Sequence, residues 1–129
     1  MEEKSNVFVA DIFSISKTLD TSMITTAGQF IVLSNVVRPL IKLNSQAQIE
    51  GDLVESWEIS EDSTLFQFTI SKGAKWSNGE LITSDDVIKS LERQRSLNTA
   101  NHFHFSSIKS LTKINPTQFT VKLLSLIHI

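Results

Sequence analysis

Residues 65–70, LFQFTI, place Phe66, Phe68 and Ile70 on one side of an extended chain and Leu65, Gln67 and Thr69 on the other. An apolar period of two marks a strand with one buried face. Such a strand needs neighbours for its backbone and a second layer over its apolar side, which excludes an all-helical fold. DLVESWEIS (52–60) supplies the first neighbour. The intervening EDST is a turn by composition, so residues 54–70 read as a hairpin. A second hairpin is expected where SIKSLTKI and TQFTVKL flank Asn115-Pro116, with Phe119, Val121 and Leu123 alternating against Thr120 and Lys122. LIKLN (40–44) is a further short strand.

The strand 65–70 runs into KGAKWSNGELITSDDV (72–87), which converts strand to helix. Gly73 and Asn78-Gly79 supply positions where positive φ costs little, so the chain can reverse twice. Thr83 is a good N-cap, and Asp86 three residues later makes a variant of the capping box. Asp85 and Asp86 meet the positive end of the helix dipole, while Lys89, Arg93 and Arg95 lie towards the negative end. Val87, Ile88 and Leu91 form the apolar face. As a metal or acid–base pair the adjacent aspartates are poorly placed, because neighbours on a helix diverge by about 100°. The stretch reads as a helix start.

Nearer the N-terminus, VFVADIF (7–13) is almost continuously apolar, as in a strand buried on both faces. A polar connection leads to a helix over 26–38, with Phe30, Leu33 and Val37 on one face and Val32 and Val36 beside them. Thr25 or Thr26 caps it and Pro39 stops it.

Composition narrows the function classes. The 129 residues suffice for one domain, and the net charge of −2 comes without a basic run or stripe, which argues against nucleic acid. Without cysteine there are no disulfides, no thiolate catalysis and no cysteine zinc sites. The longest apolar run, FIVLSNVV, falls far short of the ~20 residues that span a bilayer. MEEKSNVFVADIF lacks the basic start and apolar core of a secretory signal. Ser56 and Ser77 have neither elbow glycines nor a nearby histidine, and no phosphate-binding glycine loop occurs. An enzyme is not expected.

The order Thr18-Leu19-Asp20, then LVESWEIS, then LFQFTISKGAKWSNGELITSDDVIKS resembles the N-terminal part of the extracytoplasmic solute-binding proteins of family 5, the oligopeptide, dipeptide and nickel class of ABC importers. Leu53, Glu55, Ser56, Trp57 and Glu58 match one family element. Phe68, Gly73, Lys75, Trp76, Ser77, Gly79, Thr83, Asp86 and Val87 match the next, and NTANHF (98–103) resembles the segment after the helix. The likeness runs in order over 9–123. Departures are Thr21 for the usual proline, Arg38-Pro39-Leu40 for the usual Glu-Gly-Leu, Ile70-Ser71 for the usual leucine-arginine, and Leu81 for proline.

The resemblance implies an α/β fold, the incomplete N-terminal part of a type II periplasmic-binding-protein-like, two-lobed fold that closes on its ligand about a hinge. Residues 1–39 would be the first strand and helix of one lobe, and 40–123 a small inserted, strand-rich subdomain with short helices. LSLIHI (124–129) breaks the alternation of TQFTVKL and equals the translation of a transposase adaptor end used to prepare sequencing libraries. It is set aside as a non-native tail.

Two segments are implied to meet ligand. At Thr25, Thr26 and Ala27 the family pairs backbone with a bound peptide, although capping accounts equally well for the threonines. Around Asn101, His102 and Phe103 an aromatic can cover a ligand side chain. His102 and His104 would share a face if extended, but no third metal ligand lies near, so an aromatic loop is the reading and no metal or cofactor is expected. Trp57 and Trp76 read as packing residues.

The expected function is the solute-binding component of an ABC importer, capturing peptides or another small solute between two lobes and delivering them to a membrane permease. It would act outside the cytoplasm and be lipid-anchored at full length. The rival is the sensing domain of a cytoplasmic regulator behind a helix-turn-helix.

Overall fold

Both hairpins read from the alternation are present, and they are zipped to each other into one sheet. The computed structural model describes residues 18–99 and 101–124, and the chain divides into two compact units, 1–37 and 38–129. The strand expected over 7–13 and all of the tail after Leu124 lie outside the described residues.

In the first unit a 3-10 turn, Thr21–Met23, is capped by Asp20, whose carboxylate accepts the Ser22 N–H at 3.0 Å. Helix α1, Ala27–Ser34, follows, with Thr26 as N-cap. It ends four residues before the expected boundary at residue 38. Ser34 Oγ and Asn35 Nδ2 both donate to the Ile31 carbonyl, and Val36 and Val37 both return their N–H to Leu33. Polar side chains compete for the ladder there, and the residue before Pro39 disfavours the helical region. The buried side also differs from the expected one. Gly28, Gln29 and Leu33 are buried, whereas Phe30 is 63% exposed and Val36 and Val37 are exposed.

The second unit opens with strands β1, Ile41–Leu43, and β2, Ile49–Gly51, an antiparallel pair joined through a turn in which Asn44 holds the N–H groups of Gln46 and Gln48. β2 has too few residues to show a period, so sequence pattern missed it. Next come β3, Val54–Ile59, and β4, Leu65–Ile70, then helices α2, Ser84–Ser96, and α3, His102–Phe105, and finally β5, Ile108–Asn115, and β6, Gln118–Leu123. The four long strands form an antiparallel sheet in the order β3-β4-β6-β5.

Register gives this sheet its two faces. Trp57, Phe68 and Phe119 are cross-strand partners, as are Ile59, Phe66, Val121 and Leu111. Between these apolar rows runs a polar one, Glu58, Gln67, Thr120 and Thr112, on the opposite face. The apolar face carries the core of Leu53, Val54, Ile70, Ala74, Val87, Phe119 and Val121, with Ile88 and Leu91 of α2 packed against it. Phe119 is fully buried and its ring lies 5.3 Å from that of Phe68. Each such side chain contributes about 1.5–3 kcal/mol by leaving water.

Candidate functional site

One buried amide makes several of the hydrogen bonds in the segment before α1. Gln29 is 6% exposed, and its Oε1 accepts the N–H of Thr25 at 2.9 Å, the N–H of Thr26 at 3.2 Å and the Thr26 hydroxyl at 3.2 Å. Its Nε2 donates to the Thr18 carbonyl at 3.2 Å, and its own N–H reaches Thr26 Oγ1 at 3.3 Å. Thr26 is therefore the helix cap, with Gln29 completing a capping box. Thr25, Thr26 and Ala27 are all exposed. Gln29 was not singled out from sequence, although Thr-x-x-Gln before an apolar run is the capping-box pattern.

The second segment follows α2, whose last N–H link runs from Leu97 to the Arg93 carbonyl. The chain then turns into α3: His102 N–H meets the Thr99 carbonyl at 3.0 Å and His104 N–H the Asn101 carbonyl at 3.1 Å. His102 Nδ1 lies 3.1 Å from the Leu97 carbonyl, which ties the imidazole to the end of α2. Phe103 is 67% exposed and its ring centroid is 3.8 Å from that of His104. The two histidines thus sit two apart on a helical turn, about 200° from each other, and not on the shared strand face that the metal reading requires. Among the described residues no three His, Cys, Asp or Glu groups come together as a metal site.

The strand-to-helix device is built as its residues suggest. Gly73 and Gly79 have φ of 72° and 89°. Trp76 N–H bonds to the Glu80 carbonyl at 2.8 Å, and Lys75 bridges to Leu81. Asp86 Oδ2 accepts the Thr83 N–H at 2.9 Å and the Thr83 hydroxyl at 3.1 Å. That backbone N–H above all, aided by the hydroxyl and by Trp76 Nε1 at 3.4 Å, holds the Asp86 carboxyl below its ordinary pKa. Asp85 instead pairs with Lys113 of β5 at 2.6 Å. Each aspartate has a separate structural partner. Trp57 packs against the core as expected, but Trp76 is 51% exposed.

A feature unnoticed in the sequence pins α2 to the sheet. Ser84 is fully buried, its N–H meeting the Pro116 carbonyl at 2.8 Å and its hydroxyl the Asn115 carbonyl at 2.5 Å. The start of α2 is thereby fastened to the β5–β6 turn.

The family model for bacterial extracellular solute-binding proteins, family 5 Middle, matches residues 48–125, more than half of the chain. A dipeptide-binding protein of Escherichia coli is 30% identical over 103 residues, which cover 75% of this chain and 17% of that protein. The nickel-binding periplasmic protein of the same organism is also 30% identical, over 104 residues that cover 75% of this chain and 19% of its own. Among solved structures, NikZ from Campylobacter jejuni in complex with Ni(L-His) superposes with a TM-score of 0.78 at 22% identity, covering 87% of this chain and 23% of that one. The chain thus spans less than a fifth of the length of these two relatives.

Proposed function

This chain belongs to the bacterial extracellular solute-binding proteins, family 5, and from that membership we propose that its full-length protein captures peptides for an ABC importer. The family match over residues 48–125 carries the reading. In this proposal two lobes close about a hinge on the peptide, and a membrane permease receives it. The protein works outside the cytoplasm, held by a lipid anchor, and performs no catalysis.

Ligand contact is assigned to Thr25, Thr26 and Ala27 through their backbone, and to Asn101, His102 and Phe103 through the exposed Phe103 ring. Backbone recognition suits a peptide, because it pairs main-chain groups whatever the side chains are; with the N–H groups of Thr25 and Thr26 bonded to Gln29, it falls to the rest of the segment's backbone. The likeness to a nickel-binding periplasmic protein favours this role over a cytoplasmic regulator.

Isothermal titration of the full-length protein with di- and tripeptide mixtures and, separately, with Ni(II)-histidine tests the reading. Heat with peptides alone supports it. Binding of the nickel complex alone moves the protein to metal uptake, and binding of neither sinks the peptide proposal.

A further inference from the structure

The Thr25–Ala27 contact proposed above leaves open what gives that segment its shape, and the first unit contains a side chain suited to the task. Gln29 projects from the first turn of α1 and is itself buried. It does more than complete a cap. An ordinary capping box ties a helix residue to the N-cap alone. Here the same oxygen also takes the N–H of Thr25, one residue further out, and the amide nitrogen reaches the carbonyl of Thr18, eleven positions away in the chain. One side chain thus gathers the two ends of the connection 18–26.

Two consequences bear on recognition. The N–H groups of Thr25 and Thr26 are turned inward and occupied. These bonds also restrain the segment, and restraint of a binding segment lowers the ordering cost of binding. We propose that Gln29 is a positioning residue for the ligand-facing backbone at Thr25–Ala27, acting through these hydrogen bonds and touching no ligand itself. The inference rests on the peptide-binding reading of that segment.

Two substitutions in the full-length protein separate its roles. Gln29→Glu keeps an acceptor for the two N–H groups and loses the donor to Thr18. Gln29→Met has similar length and keeps neither. Affinity for a tripeptide mixture is measured by titration, and amide exchange at Thr25 and Thr26 by NMR on the ligand-free protein. The expected result is affinity about tenfold weaker in Gln29→Met, with faster exchange at both amides, and recovery to within about threefold of the parent in Gln29→Glu.

Thr83→Ala, which weakens the cap of α2 at a distance in sequence, serves as a control. It is expected to lower the unfolding temperature and leave affinity unchanged. Unchanged affinity in Gln29→Met, or a Thr83→Ala loss as large as that of Gln29→Met, overturns the positioning role. A parent protein that binds no tripeptide overturns the peptide reading on which the role depends, an outcome distinct from the other two.

Discussion

Single residues decide how closely the strands and helices of the second unit can approach. Gly51 is the clearest case: a Cβ built there would lie 2.1 Å from the Val54 carbonyl oxygen. No neighbouring side chain can rotate away to relieve this, because the atom is backbone. Gly51→Ala is expected to disrupt the β2–β3 junction and to lower the thermal midpoint of the chain by several degrees in a calorimetric scan. Ser84 acts through hydrogen bonding instead. Removing its buried hydroxyl strands the Asn115 carbonyl without its partner. Ser84→Ala should therefore cost about 1–3 kcal/mol in urea unfolding, whereas Ser84→Thr should not recover it if the added methyl overfills a fully buried site.

Elements depend on their ends. The N-terminus of α2 carries the Thr83–Asp86 contacts, and the turn before β4 carries a comparable knot. There Asp62 accepts from Ser60 Oγ at 2.6 Å, Thr64 Oγ1 at 2.8 Å and the Thr64 N–H at 3.1 Å. The Ser60 hydroxyl first, then Thr64, lower the Asp62 pKa from 3.8 to about 2. A carboxyl whose pKa is lower folded than unfolded stabilises the fold above its unfolded value, and that stabilisation disappears as pH falls through the folded value. The β3–β4 turn should accordingly loosen between 3.8 and about 2, and Asp62→Asn should flatten the dependence of the thermal midpoint on pH across that window. Asp86 works in the same direction at the helix end. Asp86→Ala should cost about 0.3–1.5 kcal/mol at neutral pH, measured by urea unfolding.

At the scale of the molecule, apolar surface is unevenly covered. α2 covers the apolar face of the sheet over β5 and β6, while Ile59 at the β3 end is 51% exposed. The β1–β2 pair sets Ile41, Leu43 and Ile49 on one side, 41%, 66% and 61% exposed, with Leu43 and Ile49 directly opposite each other. Clustered exposed apolar residues on a short two-stranded ribbon favour association. The 129-residue chain should show concentration-dependent self-association in sedimentation velocity, and Leu43→Lys with Ile49→Lys should reduce it. An unchanged distribution would locate the association elsewhere.

Local chemistry by itself determined both hairpins and the start of α2. Alternation at Phe66, Phe68 and Ile70 and at Phe119 and Val121 is a property of neighbouring residues, and the glycines and Thr83 act within a few positions of themselves. The family was legible for the same reason, since Gly73, Gly79, Thr83 and Asp86 stand in the stretch by which the chain resembles it. Other features required the folded chain. Pairing of β4 with β6, which joins the two hairpins, brings together residues about fifty positions apart, and no local pattern encodes that choice. Burial of Gln29 and Ser84 and exposure of Phe30 and Trp76 invert what polarity alone suggests. Polar groups enter the interior when their hydrogen bonds are met there, and apolar ones remain outside when nothing covers them. His102 and His104 read as part of an aromatic loop in sequence, whereas the chain makes a helical turn there, with the Thr99 and Asn101 carbonyls accepting the His102 and His104 N–H groups. Period and caps are local and so were written in the chain; partners across the sheet are chosen only when distant residues compete for the same surface.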